Sequence, residues 1–181
     1  MNTLIVSIFG GPGAGKSAFA HGLMYELKVA GVHCEYSSEY AKDIYYEESP
    51  KKLKNQLYVF GKQLQRLRRV MNDVDVVVTD APLIHSIHYE AEKTDAFKNV
   101  VLNEHNKFDN FNIFLSRKHD YNPKGRFQDE RGAAVVTDSI EQLLHDLNID
   151  FHRYDATREN VKIVSDIIIE KVQYNVTTQQ F

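Results

Sequence analysis

Apolar residues recur along the chain with two different periods. Leu4, Ile5, Val6, Ile8 and Phe9 form a nearly continuous run, whereas Phe19, Leu23, Met24 and Leu27 recur every three to four residues. The first pattern predicts a buried strand, and the second a helix over 16–30 with one buried face. Gly31 ends that helix, because glycine accepts the left-handed conformation of a helix C-terminus. Residues 32–37 read as a second strand. Pro50 opens a long helix in which Leu53, Leu57, Phe60, Leu64, Leu67 and Met71 recur at steps of four and three. Asp75-Val76-Val77-Val78-Thr79-Asp80 is a β-branched run and predicts a third strand. Residues 84–106 read as largely helical, and Phe111 to Leu115 as a fourth strand. A helix over 127–147 carries Ala134, Ile140, Leu143, Leu144 and Leu147. A strand from Phe151 through Tyr154 and a last helix with Val161, Val164, Ile167 and Ile168 complete the pattern, with Thr157 placed to cap that helix. Five strands alternating with helices predict an α/β fold, a parallel sheet with helices on both faces.

Composition changes this picture little. At 181 residues the chain fits one domain, 1–181, long enough to bury a sizeable core. With 43% hydrophobic and 26% charged residues it has the balance of a globular enzyme, with neither repeat nor low-complexity segment. The formal net charge of −3 argues against a broad nucleic-acid-binding surface and leaves room for a local basic patch. The single cysteine, Cys34, has no internal disulfide partner and reads as a small buried strand residue. No basic segment precedes the first apolar run, so neither a signal peptide nor a membrane span is expected, and a cytoplasmic location is.

The chemistry begins where the first strand ends. Gly10-Gly11-Pro12-Gly13-Ala14-Gly15-Lys16-Ser17 has the Walker A spacing, in which backbone N–H groups surround phosphate oxygens, the lysine reaches the β- and γ-phosphates and the hydroxyl binds Mg²⁺. Gly11, Gly13, Ala14, Gly15, Lys16, Ser17 and Ala18 are therefore the candidate nucleotide contacts, at the positive end of the helix that follows. The third strand ends in Asp80, at the sheet edge where a carboxylate holds Mg²⁺ or its water shell opposite Ser17; capping the next helix is a role compatible with that one.

Glu39 lies just beyond the second strand, at the same edge. Two readings fit it: a carboxylate that orients or deprotonates a substrate hydroxyl, or a helix-start glutamate favoured by the dipole. Gln56 and Gln63 share one edge of the long helix, and Gln63 and Arg66, with Tyr40, are candidate substrate contacts. Arg66, Arg68 and Arg69 also form a basic group, of the kind that is ordinarily a solvated face. Arg117 to Arg126 holds four fixed positive charges with Pro123 and Gly125, a loop suited to clamping phosphates, in which Arg117 and Arg126 are the candidates for charge neutralisation. His85, His88 and His105 show no metal-ligand spacing. Asn106-Lys107-Phe108-Asp109 matches a guanine-specificity motif but precedes a strand instead of following one, and reads as a helix-to-strand turn.

These segments together resemble the P-loop kinases of nucleosides and nucleotides, and Glu39-Tyr40-Ala41-Lys42 is similar to the Glu-x-Ala-Arg segment of the nicotinamide riboside kinase type. Lys42 stands where that type has arginine, and Asp80-Ala81-Pro82 departs from the Asp-Arg-x or Glu-Arg-Ser segment of deoxynucleoside kinases. The resemblance implies strand order 2-3-1-4-5, ATP with Mg²⁺, an acceptor pocket built from the second strand and the long helix, and a closing lid at 117–126. The function it implies is a kinase that moves the γ-phosphoryl group of ATP to a small nucleoside or nucleotide. Two alternatives stand beside it: a kinase acting on a polynucleotide end or a modified base in DNA, and a P-loop ATPase or switch acting on a protein partner.

Overall fold

The computed structural model describes residues 3–117 and 130–178, with side chains through Gln173. Five strands form one parallel sheet: β1 (Leu4–Phe9), β2 (Cys34–Ser37), β3 (Val76–Thr79), β4 (Asp109–Ser116) and β5 (His152–Asp155). Their order is β2-β3-β1-β4-β5, as the resemblance to P-loop kinases implies. The helices are α1 (Lys16–Val29), α2 (Tyr40–Tyr46), α3 (Gln56–Arg68), α4 (His85–Tyr89), α5 (Asp95–His105), α6 (Glu130–Asp146) and α7 (Arg158–Thr178).

The sheet divides the interior into two layers, because side chains alternate across a strand. Leu4, Val6 and Ile8 of β1 join Val76, Val78, Phe111, Ile113 and Leu115 on one face, where α1 and α7 supply Leu23, Leu27, Val164 and Ile168. Ile5, Phe9, Val77 and Phe114 point the other way, onto Phe60 and Leu67 of α3, Phe97 and Val101 of α5, and Ile140 and Leu144 of α6. β1 is the middle strand and is buried along its whole length, which gives the loop that follows it a rigid base. Cys34 is fully buried in the first layer, and burial raises its thiol pKa, so it is a packing residue.

Two helices are shorter than their apolar periods suggest. The stretch opened by Pro50 is a 3-10 turn, Pro50–Lys54, and α3 begins only after Asn55, whose side chain accepts from the Tyr58 N–H at 3.1 Å. A side-chain cap starts a new helix there, and Asn72 with φ 72° closes the region beyond α3. Residues 84–106 form two helices because Thr94 caps α5, accepting from the Phe97 N–H at 3.4 Å. Asn106 to Asp109 is the turn from α5 into β4, as its place before a strand suggests. Gly31, at φ 81°, ends α1 as expected, with the Val32 N–H returning to the Leu27 carbonyl at 3.0 Å.

Candidate active site

The Walker A segment is the connection from β1 to α1, and Gly15 stands at the helix start with φ 88°, a conformation that a side chain resists. Gly11 is required for a different reason. A Cβ there would lie 1.9 Å from Oγ1 of Thr137 and 3.0 Å from the Ala133 carbonyl, so α6 presses directly on the loop. The ammonium of Lys16 curls back and donates to the carbonyls of Gly10 and Gly11 at 2.8 and 3.0 Å. Ala156, in the turn after β5, packs against Gly15, which brings residues 155–157 to the loop. Thr157 caps α7 by accepting from the Asn160 N–H at 3.2 Å.

β3 lies beside β1, and Asp80 at its end faces the first turn of α1. The Ser17 hydroxyl donates to Oδ2 of Asp80 at 2.5 Å. Lys42 completes the group: its ammonium donates to Oγ of Ser17 at 2.6 Å and to Oδ2 of Asp80 at 3.1 Å, and lies 3.8 Å from Oε2 of Glu39. Burial alone would push the Asp80 carboxyl up, but the Ser17 hydrogen bond, the charge of Lys42 and the Tyr36 hydroxyl hold it below the usual carboxylate range. Oδ1 of Asp80 is buried and has no hydrogen-bond partner among the described residues.

Glu39 stands at the start of α2, half-buried. Its carboxyl is raised by burial and by the nearby charge of Asp80, against the opposing pull of Lys16 and Lys42. The other predicted acceptor-side residues lie behind it. Gln63 is buried, and its amide donates to Oγ of Ser37 at 3.3 Å and to the Ser38 carbonyl at 3.2 Å while accepting from the Tyr40 N–H at 3.0 Å. Arg66 donates to the carbonyl and hydroxyl of Ser38 at 3.1 and 2.9 Å and pairs with Asp43. The Tyr40 hydroxyl meets that of Tyr58 at 2.8 Å. The shared edge of α3 thus faces the β2–α2 turn, whose backbone groups need partners. Gln63, Arg66 and Tyr40, read from the sequence as substrate contacts, are engaged in holding Glu39's turn. Arg68 pairs with Glu104 on α5, away from the loop.

Arg117 follows β4 and pairs with Glu130 at the start of α6 at 3.4 Å, so it joins the end of β4 to the start of α6. Arg126 and the rest of the expected lid lie outside the described residues. His85, which has no metal-ligand spacing in the sequence, stands with its ring edge-on to Phe9 at 5.3 Å. Burial, with the charges of Lys16 and His88, presses its pKa well below the ordinary histidine value, so it is neutral, and its Nε2 is buried without a partner among the described residues. No spacing rule marks it; only the fold brings it near Lys16 and Asp80.

A hydroxyl and a carboxylate at hydrogen-bond distance, with one carboxylate oxygen left over and a cation already seated on them, suit Mg²⁺. That ion keeps several waters and takes one or two protein oxygens beside its phosphates. No group of three or more His, Cys, Asp or Glu side chains able to hold a metal is found among the described residues. Nor is any described helix long and apolar enough to cross a membrane.

A family model described as an AAA domain matches residues 5–160. The chain belongs to this family, AAA_28. The AAA domain is thus a P-loop NTPase, with its phosphate loop, Ser17 and Asp80 inside the matched region. No curated protein matches the chain. Among solved structures, the thymidylate kinase of Ehrlichia chaffeensis is similar at a TM-score of 0.59 and 12% identity, over 96% of this chain and 100% of that one. At that identity the likeness is one of fold: the AAA domain has the kinase-like sheet, order included.

Proposed function

We propose that this AAA domain is an ATP-dependent kinase of the cytoplasm, acting as a single domain, that transfers the γ-phosphoryl group to a small nucleoside or nucleotide. The observation that carries the reading is the position of Glu39. Its carboxylate stands beside Asp80 and Lys42 and within the influence of Lys16, where a base for an acceptor hydroxyl is needed. The likeness of Glu39-Tyr40-Ala41-Lys42 to the nicotinamide riboside kinase segment supports a nucleoside as the acceptor.

In this reading the backbone N–H groups of Gly11 and of Gly13 to Ala18, at the α1 N-terminus, bind the β- and γ-phosphates. Lys16 leaves the Gly10 and Gly11 carbonyls to follow the γ-phosphoryl group as charge develops on it. Ser17 and Asp80 would hold Mg²⁺, which would supply charge neutralisation at the phosphates. Glu39 accepts the proton of the acceptor hydroxyl as its oxygen bonds to phosphorus and the bond to the ADP oxygen breaks. Neutral His85 adds no positive charge beside Lys16, and Arg117, with Arg126 in the expected lid, steadies the transferred group.

The test is a screen of nucleosides, nucleoside monophosphates, nicotinamide riboside and oligonucleotides with γ-labelled ATP. Transfer to a small acceptor that is lost in Lys16→Ala supports the reading. Transfer confined to oligonucleotides, with steep salt dependence, points to a polynucleotide kinase. Hydrolysis indifferent to every acceptor points to a switch working on a protein.

A further inference from the structure

The ammonium of Lys42 touches the Ser17 hydroxyl at 2.6 Å and Oδ2 of Asp80 at 3.1 Å, the two oxygens that also face each other at 2.5 Å. A single positive charge therefore sits where a divalent ion held by those residues would sit. We propose that Lys42 is a tethered cation that occupies the Ser17–Asp80 position whenever no divalent ion does, and that it must be displaced before one binds. The inference rests on the kinase reading only in taking that ion to arrive with a triphosphate.

The competition is one of lone pairs and of charge. Ser17 gives its proton to Asp80 and accepts from Lys42, so the ammonium already takes one of the two electron pairs on the Oγ that a metal would approach. Oδ2 of Asp80 likewise serves both the hydroxyl and the ammonium. Two like charges do not share so small a space in a partly dry site.

Exposure makes the exchange feasible. The Asp80 side chain is 1% exposed and needs a countercharge, whereas that of Lys42 is 45% exposed on a flexible four-carbon stem. The acid therefore keeps a partner at every stage, and only the lysine has to move. Lysine also fits this place better than arginine: an ammonium is a compact point charge, whereas a guanidinium is a planar fork that spans a carboxylate and does not mimic an ion. Once displaced, Lys42 stays near Glu39, 3.8 Å away in the structure, where its charge is available to a phosphate oxygen.

The test is binding of Mn²⁺, read by electron paramagnetic resonance, to purified protein without nucleotide. Lys42→Met, which keeps the stem and removes the charge, is expected to bind Mn²⁺ at least about tenfold more tightly than the unaltered protein. Adding Asp80→Asn to that variant is expected to abolish the gain. Lys42→Gln serves the same comparison if the methionine variant does not fold. Equal or weaker Mn²⁺ binding in the charge-removed variant overturns the inference, as does a gain that survives Asp80→Asn. If Mn²⁺ binds more tightly to Lys42→Met but no acceptor is phosphorylated, the kinase reading fails and the tethered cation stands. If transfer occurs and Mn²⁺ affinity is unchanged, the tethered cation alone fails.

Discussion

The hydroxyl of Ser17, in the first turn of α1, donates at 2.5 Å to the carboxylate of Asp80, 63 residues later at the end of β3. Parallel pairing of β1 with β3 in the register Ser7 opposite Thr79 is what brings the two strand ends level. Ser17→Ala and Asp80→Asn are each expected to lower turnover by about 100- to 1,000-fold, the usual size of a lost charge-stabilising contact. Rates measured against Mg²⁺ concentration check this. Both variants shift the metal requirement upward, whereas the affinity for metal-free ATP changes less.

Glu39 and Asp80 are neighbours whose pKa values move apart, Glu39 upward and Asp80 downward. A base works ionised, so the rate is expected to rise with pH through the raised Glu39 value, while Asp80 stays charged across that range. The acid limb of a kcat/KM profile thus belongs to Glu39. Glu39→Gln removes that limb and lowers turnover by about 100-fold or more. An unchanged acid limb in this variant returns Glu39 to the role of a helix-start residue.

The closeness of Thr137 to Gly11 makes a packing test of the phosphate loop. Gly11→Ala places a methyl group 1.9 Å from Oγ1 of Thr137 and is expected to cost about 1–3 kcal/mol in thermal unfolding. Pairing it with Thr137→Ala recovers part of that loss, while pairing it with Thr137→Val recovers none. Equal melting temperatures in the two double variants would show that α6 yields freely over the loop.

His105, buried at the end of α5, has its pKa lowered by burial to about 4 from an ordinary 6.5. The unfolded chain then takes up a proton at this site that the folded chain refuses. Stability is full above the ordinary value and falls as the pH drops toward about 4, by about 3 kcal/mol from this residue. Urea unfolding at several pH values checks the slope, and His105→Gln flattens it.

Most of the sheet is legible in the sequence because buried parallel strands are continuous β-branched runs, and residues 4–9 and 76–79 are of that kind. The helix breaks are less legible. Asn55 and Thr94 interrupt apolar periods that look unbroken, since a cap is a single side-chain hydrogen bond set against a repeating pattern. In the site, Lys16, Ser17 and Asp80 carry local signals: a glycine-rich spacing and a strand that ends in an acid. The surroundings of Gln63 and Arg66 are less legible, for a physical reason. Their shared helical edge says which way they face and nothing of what stands there, and what stands there is the backbone of Ser38 and Tyr40. The hold of Lys42 on the Ser17–Asp80 pair is invisible in one dimension, because it depends on α2 returning beside α1.

The middle place of β1 also divides the neighbours of the phosphate loop into two groups. From the phosphate loop, the strands on one side carry the acids, Glu39 after β2 and Asp80 after β3, and the strand on the other side carries Arg117 after β4. The loop therefore has on one bank the acids with Lys42 among them, and on the other the Arg117–Glu130 pair. Each bank belongs to separate stretches of chain, residues 34–80 on one side and 109 onward on the other. Exchange of the β2–α2–α3 stretch replaces Glu39 and Lys42 while leaving the packing of Thr137 and Ala156 on the loop intact, so the two banks are separable by the layout of the sheet.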